Sequence, residues 1–519
     1  MHAFEAILAL LMGATILSSF AKRVGVPYPT ILAVGGAVLA FIPGAPRIEL
    51  PPELILALFV APVLLDAAYD ASFRDLRANW LPVGSLVLVA VGLTTMAVAV
   101  TARWFFPDMP LAVGIALGAI LAPPDAVAAL AVLRQVSPPY RIRVILEGES
   151  LLNDASALLI YRLAVGAVTA GSFSVTDAAP TFAVVVFGSI LAGWALAWPI
   201  GRATARIQSA PESVVLQFVV TFGAWLLAER LGLSGVVTVV VLGLTLARKN
   251  TAALTARIRV PSFAIWETVT MVLNVMAFTL VGLEIGPIVD NVSGAELRGL
   301  LVGSVTVLGV VILVRLAWTL TYEVALRIGT SGRDAREPRG RAVQPSAKTA
   351  LVVGWSGMRG IVTLATALAL PSDFPYRDFI QLTAFVVVLG TLLIQGLTLR
   401  RLLASVGLPP EDTVEREIDM ARRASLKAAL TALEGEDDAA AGRLREEYRE
   451  ALAWLKAGED LRDTRENGLR LRMVTAARGS IADLRDTEAI GDEAYRRVEE
   501  ELDMLELSAE AAGPTGPAR

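Results

Sequence analysis

The chain has 519 residues, of which 55% are hydrophobic and only 18% are charged, and its formal net charge is −4. A soluble protein of this length would be less apolar, so the composition indicates a membrane protein, and the small net charge gives no sign of nucleic-acid binding. With no cysteine and a single histidine, His2, the sequence excludes disulfides, thiolate chemistry and histidine clusters that catalyse or bind metals.

Thirteen apolar segments follow one another along the first 405 residues, most of them long enough to cross a hydrocarbon core of roughly 30 Å at 1.5 Å per residue. They lie near residues 3–20, 28–43, 53–70, 82–102, 110–133, 144–170, 180–203, 213–230, 234–248, 263–286, 298–327, 346–370 and 378–404. The predicted fold is an all-α polytopic membrane protein with about thirteen transmembrane helices. The ninth segment is short, so twelve spans are the alternative.

Lysine and arginine are concentrated in every second connection between these segments. These connections hold 19 such residues in total, and the intervening connections hold 5 in total. Because cytosolic loops are enriched in these residues, the N-terminus is predicted outside and the C-terminus in the cytoplasm. A miscounted segment would disturb the alternation, which therefore favours thirteen. The expected location is the cell membrane.

Residues 406–519 have a different composition, rich in Glu, Asp, Arg and Ala. Stretches such as AAAGRLREEYREALAWLKAGEDL have the pattern of amphipathic helices. The sequence therefore predicts a transmembrane domain over residues 1–405 and a helical cytosolic tail over residues 406–519. The tail is either a solvated appendage or a regulatory or dimer-supporting domain.

Two predicted spans are interrupted near their centres. The fifth contains LAPPDAVAAL, where two successive prolines before Asp125 remove backbone donors and break the helix. The twelfth contains WSGMRGIVTLATALAL, where glycines flank Arg359. The two spans run in opposite directions, which fits an inverted repeat with broken helices that cross at an ion site. Asp125 and Arg359 would offset the partial charges of the half-helix ends.

The sixth span contains ILEGESLLNDASALLIYRLA, with five polar or acidic side chains. At helical spacing, Glu147, Ser150 and Asp154 share one stripe. Glu149 and Asn153 lie on the adjoining stripe. Asp154 falls near mid-membrane, whereas Glu147 lies about 10 Å nearer the cytosol and is interpreted as an interfacial acid.

Ionisable residues near mid-depth cost at least a few kcal/mol each and normally pair or serve a pathway. They are the acids Asp66, Asp125, Glu149 and Asp154 and the bases Arg315 and Arg359. The excess of acids must be met by protons or bound cations. Oxygen-only ligands suit a hard cation such as Na⁺, Li⁺ or K⁺. Three polar residues of the tenth span, Asn274, Glu267 and Glu284, receive no role.

The motifs EGESLLNDA, APPDAV, LLDAAY and GMRGIV together resemble the sodium/proton exchanger branch of the monovalent cation–proton antiporters, which includes the NhaP proteins. The resemblance covers roughly residues 1–405, and EGESLLND is its most specific part. It implies thirteen helices with an inverted repeat, a homodimer in membrane lipid, and alternating-access exchange of Na⁺, Li⁺ or K⁺ for H⁺. It implies no cofactor and no enzymatic activity.

The resemblance also implies a site. Asp154 would bind cation and proton in turn, and Asp66 and Ser150 would supply further oxygens to a bound Na⁺ or other monovalent cation. Asn153 and Asp125 would shape the site. The Asn153–Asp154 pair marks the branch associated with electroneutral exchange, and Asn153 cannot titrate.

Three further positions come from the same resemblance. Glu149 would form a buried ion pair with Arg315, and Arg359 would stabilise the crossing of the broken helices. The backbone carbonyl of Pro124 would complete the cation site. Relatives have Thr or Ser where this chain has Pro124, so a side-chain hydroxyl is missing here.

Several alternatives stay open. Two site candidates have structural alternatives. Asp66 could be a charge near the membrane interface, and Asp125 could cap the half-helix that follows it. A cation channel or an organic-solute symporter on a similar scaffold is a second function. An intramembrane aspartyl protease that uses Asp125 and Asp154 is a third, although Gly-x-Gly-Asp is absent from the membrane region.

Overall fold

A computed structural model of the chain describes residues 2–24, 26–42, 51–133, 138–170, 175–207, 209–250, 255–290, 294–330, 346–408, 413–436, 438–457, 465–487, 489 and 492–510. Within these ranges all regular secondary structure is helical, which confirms the predicted all-α class. The basic connection at 331–345 lies outside the described residues. The helices form two compact units, Met1–Pro409 and Pro410–Arg519.

The first unit begins with ten helices and two π-helical segments. They are α1 (His2–Val24), α2 (Tyr28–Ala40), α3 (Pro52–Ile55), π1 (Leu56–Val60), α4 (Ala61–Asp70), α5 (Phe73–Ala78), α6 (Trp80–Gly84), π2 (Ser85–Ala90), α7 (Val91–Phe105), α8 (Leu111–Leu121), α9 (Ala126–Leu133) and α10 (Tyr140–Ala170). The two π-helical segments join α3 to α4 and α6 to α7 without a break in the helical backbone.

The described part of the first unit after α10 contains ten more helices. They are α11 (Val175–Thr204), α12 (Ala210–Arg230), α13 (Gly235–Asn250), α14 (Ala256–Leu283), α15 (Ile285–Asp290), α16 (Gly294–Thr330), α17 (Ala347–Trp355), α18 (Ile361–Leu368), α19 (Arg377–Thr391) and α20 (Leu397–Val406), with π3 (Leu392–Gly396) between the last two.

Among the described residues of this unit, seven helical stretches are long and apolar enough to cross a membrane, judged by length and composition. They are Trp80–Phe105, Tyr140–Thr169, Ala183–Thr204, Ala210–Arg230, Ala256–Leu283, Leu297–Leu326 and Arg377–Val406. In hydrocarbon a helix satisfies its own backbone polar groups, which is why these apolar runs become helices. The first unit is therefore a multi-pass membrane bundle.

The outer surface of the bundle carries apolar side chains that a soluble protein would bury. On α1, Leu8, Met12, Ile16 and Phe20 are between 50% and 66% exposed. Residues four apart lie on one face of a helix, so this face presents a continuous apolar stripe. Such a surface suits contact with lipid tails rather than water.

Small residues allow α2 and α14 to pack backbone against backbone. A Cβ atom at Gly36 would overlap the carbonyl oxygen of Thr279, and one at Gly282 would overlap the carbonyl oxygen of Ala33. Close approach through small residues is the usual way in which membrane helices associate. This contact fixes the position of α14 in the bundle and therefore also the position of its Asn274.

The two predicted helix interruptions are present and touch each other. The backbone is non-helical over residues 122–125, between α8 and α9, and over residues 356–360, between α17 and α18. The Asp125 N–H donates to the carbonyl oxygen of Met358 across the two breaks at 2.7 Å. Non-helical backbone at membrane depth is tolerated where other protein groups satisfy its polar atoms. Here a carbonyl oxygen of the second break accepts a hydrogen bond from an N–H of the first.

Within the described residues, the second unit contains four helices rich in charged side chains. They are α21 (Thr413–Ala432), α22 (Ala439–Ala457), α23 (Arg465–Asp486) and α24 (Asp492–Glu510). Arg423 of α21 donates to the carbonyl oxygen of Leu455 in α22 at 2.8 Å. Arg478 of α23 pairs with Asp503 and Glu506 of α24. The tail helices are therefore held in two packed pairs.

Candidate cation and proton site

A cavity of about 50 Å³ lies at the two breaks, between α10, α14 and the segment from π1 to α4. Its polar lining side chains belong to Asp125, Ser150, Asp154, Asn274 and Thr363, and Pro124 also lines it. The volume accommodates a small cation with a few water molecules. It is far below the roughly 300–1,000 Å³ of pockets that hold organic ligands.

Asp154 is the acidic residue that α10 brings to this cavity. Its side chain is 6% exposed, and it forms no ion pair with any residue that the structure describes. Ser150 precedes it by one helical turn and lines the same cavity, as the predicted stripe requires. A buried carboxylate without a basic partner needs a proton or a bound cation to neutralise it.

Asn153 lies behind the cavity rather than on its wall. Its side chain is fully buried, and its Nδ2 donates to the carbonyl oxygen of Pro124 at 3.2 Å. Its Oδ1 is also buried and accepts no hydrogen bond from the described residues. Asn153 therefore ties α10 to the first break. It uses one lone pair of the Pro124 carbonyl and leaves the other for a second partner.

Asp125 both caps a helix and lines the cavity. Its Oδ1 accepts a hydrogen bond from the Val127 N–H at 2.8 Å, which is the N-terminal cap of α9. A Cβ atom at Gly360 would collide with the Asp125 carboxylate, so glycine is required there for the close approach to α18. The carboxylate thus meets the positive ends of two half-helices, α9 and α18.

Arg359 is fully buried within the crossing. Its Nε donates to the carbonyl oxygen of Leu121 at 3.0 Å, and its Nη2 donates to that of Ala122 at 3.2 Å. Its Nη1 donates to the carbonyl oxygen of Gly357. The carbonyls of Leu121 and Ala122 belong to the C-terminal end of α8, where the helix dipole is negative, and that of Gly357 lies in the second break. Arg359 therefore compensates the helix ends and not the acids of the cavity.

Glu149 and Arg315 form a bidentate ion pair in the interior. Arg315 Nη1 and Nη2 donate to the two carboxylate oxygens of Glu149 at 2.5 and 2.7 Å. Nη2 also donates to the carbonyl oxygen of Val353 in α17 at 3.2 Å. The pair joins α10, α16 and α17. Because Glu149 is the acid that Arg315 meets, this arginine does not neutralise Asp154.

Asp66 is placed differently from the other predicted ligands. It lies in α4 and is partly exposed, and it is not among the residues that line the cavity. Val63 and Leu64, just before it, do line the cavity. The structure therefore brings together Asp154, Ser150, Asp125 and Pro124, and leaves Asp66 on an adjoining part of the same helix.

Two polar residues of the cavity were not singled out as site residues. Asn274 comes from α14 and Thr363 from α18. The available signal was weak, because each is a single polar side chain within an apolar run. Glu147, in contrast, lies away from the cavity, where Arg143 Nε contacts its Oε1 at 2.6 Å.

Comparison with known proteins places the chain among cation–proton exchangers. The family model described as sodium/hydrogen exchanger, transmembrane, matches residues 6–405. An uncharacterised Na⁺/H⁺ exchanger of Mycobacterium tuberculosis is 30% identical over 96% of this chain and 95% of its own length. The Na⁺/H⁺ antiporter ApNhaP of Aphanothece halophytica is 31% identical over 83% of this chain and 80% of its own.

A solved structure shares the fold. The sodium proton antiporter MjNhaP1 from Methanocaldococcus jannaschii aligns with a TM-score of 0.58 and 18% identity, over 79% of this chain and 100% of that one. The family match extends over nearly the whole first unit, including both helix breaks and all of α10. The chain therefore belongs to the sodium/hydrogen exchanger family, a family of membrane antiporters.

Proposed function

We propose that this chain is a secondary active transporter that exchanges Na⁺, or Li⁺ or K⁺ in its place, for protons at a buried carboxylate site. The carrying observation is that Asp125 and Asp154 line one cavity and that neither forms an ion pair with a described residue. The two nearby arginines are engaged elsewhere, Arg315 by Glu149 and Arg359 by carbonyls. Uncompensated negative charge here is costly, so the site holds a proton or a cation.

Asp154 is proposed to carry the exchanged charge. When a cation enters, the protonated carboxylic acid releases its proton and the carboxylate takes the cation, so the charge of the site stays the same. Asn153 cannot titrate and therefore adds no second proton. This supports one-for-one, electroneutral exchange, with Asp154 as the group for which cation and proton compete.

The remaining residues are assigned supporting roles. Ser150 and the carbonyl of Pro124 supply oxygens to the cation from the cavity wall, and Asp66 supplies one from the adjoining part of α4. Asn153 and Asp125 shape the site. Oxygen ligands of this kind fit a hard monovalent cation. The ion pair and Arg359 hold the helices around the cavity.

We further propose a bundle of thirteen membrane helices with an inverted repeat, working as a homodimer by alternating access. The two breaks that contact each other at Met358 support this arrangement, since broken helices at midplane are typical of inverted-repeat transporters. The basic connections support an outside N-terminus and a cytoplasmic C-terminus in the cell membrane. Such a transporter would serve pH homeostasis.

Na⁺, Li⁺ and K⁺ are the candidates for the exchanged cation. A relative from Bacillus pumilus, 29% identical over 82% of this chain and 65% of its own length, is named a sodium, potassium, lithium and rubidium/H⁺ antiporter. That name supports testing more than Na⁺. The small cavity volume disfavours the organic-solute symporter, while a channel is separated from an antiporter by its response to a proton gradient.

The test uses the full chain in proteoliposomes with an imposed pH gradient. Each of Na⁺, Li⁺ and K⁺ is added in turn, with and without a membrane potential, and intravesicular pH is followed. We expect cation-dependent proton movement that is insensitive to the potential. Asp154→Asn should abolish it, whereas Asp108→Asn, at an exposed turn, should leave it unchanged. Normal exchange by a correctly inserted Asp154→Asn protein would overturn the assignment.

A further inference from the structure

The α14 wall of the cavity carries one polar side chain, Asn274. It stands in the run MVLNVMAF, residues 271–278, where the other seven side chains are apolar. Ala277 and Phe278 of the same run line the cavity beside it. An amide within such a run is costly in a membrane interior, and asparagine is a poor helix former. Neither helix propensity nor apolar packing accounts for it.

The amide of Asn274 is not used to hold α14 in place. It forms no hydrogen bond with any residue that the structure describes. The contact of α14 with α2 is made elsewhere on the helix, through Gly282 and its neighbours. A polar group that the protein leaves unsatisfied normally has another partner, such as water or a ligand, and the space beside Asn274 is the cavity of Asp154.

Away from α10, the cavity wall offers few neutral side-chain oxygens besides the hydroxyl of Thr363 on α18. Pro124 offers a carbonyl that already accepts from Asn153, and it has no side-chain hydroxyl. Ser150 lies on α10, the same helix as Asp154. A cation that enters a cavity of about 50 Å³ gives up part of its hydration shell to protein oxygens, and amide carbonyls are ligands that hard cations accept. Asn274 is placed to supply one from a separate wall.

We propose that Asn274 is a cation-selecting ligand of this site, whose side-chain oxygen binds the cation opposite the α10 residues. The inference rests on the proposed antiport function and deepens it. Because the amide is neutral, its removal changes how tightly a cation binds but not how many protons are exchanged. The loss is larger for Li⁺ and Na⁺, which hold their water more strongly, than for K⁺.

The test measures half-saturating concentrations of Li⁺, Na⁺ and K⁺ and the maximal exchange rate, in proteoliposomes at one alkaline pH. Asn274→Ala should raise the half-saturating concentration about fivefold to tenfold for Li⁺ and Na⁺ and less for K⁺, with a maximal rate within about twofold of wild type. A tenfold change corresponds to about 1.4 kcal/mol of binding free energy. Asn274→Asp adds a negative ligand and should lower the same concentrations. Thr268→Ala, at an exposed position of α14, is the matched control and should change neither quantity.

The outcomes separate the two proposals. Unchanged half-saturating concentrations for all three cations in both Asn274 variants, or a fall in maximal rate alone, would overturn the role of Asn274 while wild-type exchange stands. If Asn274→Ala fails to insert, Asn274→Asp decides, since a structural asparagine would not give tighter cation binding when replaced by aspartate. Absence of exchange in the wild type and in Thr268→Ala would instead overturn the antiport function itself.

Discussion

The Arg315 guanidinium donates two hydrogen bonds, of 2.5 and 2.7 Å, to the carboxylate of Glu149. The two side chains are only 3% and 1% exposed. The residues are 166 positions apart in the chain. The pair joins the helix that carries Asp154 to α16, so it holds the carboxylate helix in place without supplying charge to the cavity.

Removal of one partner of this pair should destabilise the bundle strongly. Glu149→Gln leaves the Arg315 charge buried and unpaired, which costs about 3–5 kcal/mol. The measurement is thermal unfolding of the purified protein in detergent. The double variant Glu149→Gln with Arg315→Met should recover much of the loss, because no uncompensated charge remains. Equal stability of the wild type and the single variant would show that the pair does not hold α10.

A hydroxyl at position 124 should tighten cation binding. Pro124→Thr keeps Pro123 and the carbonyl that accepts from Asn153, and it adds one neutral oxygen beside Asp154. We expect the half-saturating Na⁺ concentration to fall by about twofold to tenfold, equivalent to at most about 1.4 kcal/mol. Pro124→Val is the matched control, because it makes the same backbone change without a hydroxyl. An identical shift in both variants would assign the effect to the backbone.

Asp66→Asn should weaken exchange without abolishing it. Asp66 lies in α4 close to residues that line the cavity but does not line it itself. We therefore expect Asp154, and not Asp66, to be the carboxylate that exchanges a proton for the cation. The expected result is a raised half-saturating Na⁺ concentration with exchange still detectable, in vesicles where Asp154→Asn shows none. Complete loss of exchange in a correctly inserted Asp66→Asn protein would place Asp66 within the proton-carrying site.

The stability of the protein should depend on pH through Asp75, in the short helix α5 between two spans. Burial raises the pKa of the Asp75 carboxyl, but hydrogen bonds with Ser72 and Tyr140 and the charge of Arg74 outweigh it and hold the pKa below its usual value. The Tyr140 hydroxyl donates to Asp75 Oδ2 at 2.9 Å. Because the folded-state pKa is depressed, this stabilisation is present above the unfolded pKa of about 3.9 and is lost as pH falls through the folded value.

Asp75→Asn should therefore lower the free energy of unfolding near pH 7, by about 1 kcal/mol or less because solvent screens part of the effect. The difference from wild type should shrink as pH is lowered toward 4 and below. Parallel unfolding curves at several pH values in detergent provide the measurement. A difference that stays constant with pH would show that the carboxylate charge contributes nothing.

The sequence was most informative where local chemistry dictates structure. Two successive prolines in the middle of a span, as before Asp125, break the helix, and the glycines around Arg359 permit a break. Helical periodicity alone put Ser150 and Asp154 on one stripe, and both line the cavity. Such features depend on residues within one or two turns, so no knowledge of the remaining chain is needed to see them.

The sequence did not show which side chains of distant segments contact each other. The periodicity of α10 separates Glu149 from Asp154, but it does not say that Arg315 meets the former and leaves the latter without a base. The sequence predicts Arg359 as a charge at the crossing, but its carbonyl partners Leu121 and Ala122 are set only by the contact of the two breaks.

The sequence by itself determined an all-α membrane protein, its two interrupted helices, and Asp154 as an acid with no base within one turn of it on its own helix. Only the tertiary structure decided which polar groups share the cavity. It brought in Asn274 from α14 and placed Asp66 off the wall. The physical reason is that apolar length and periodicity are local properties of a helix, whereas a cavity is formed by the packing of several helices, whose relative rotations set which side chains face it.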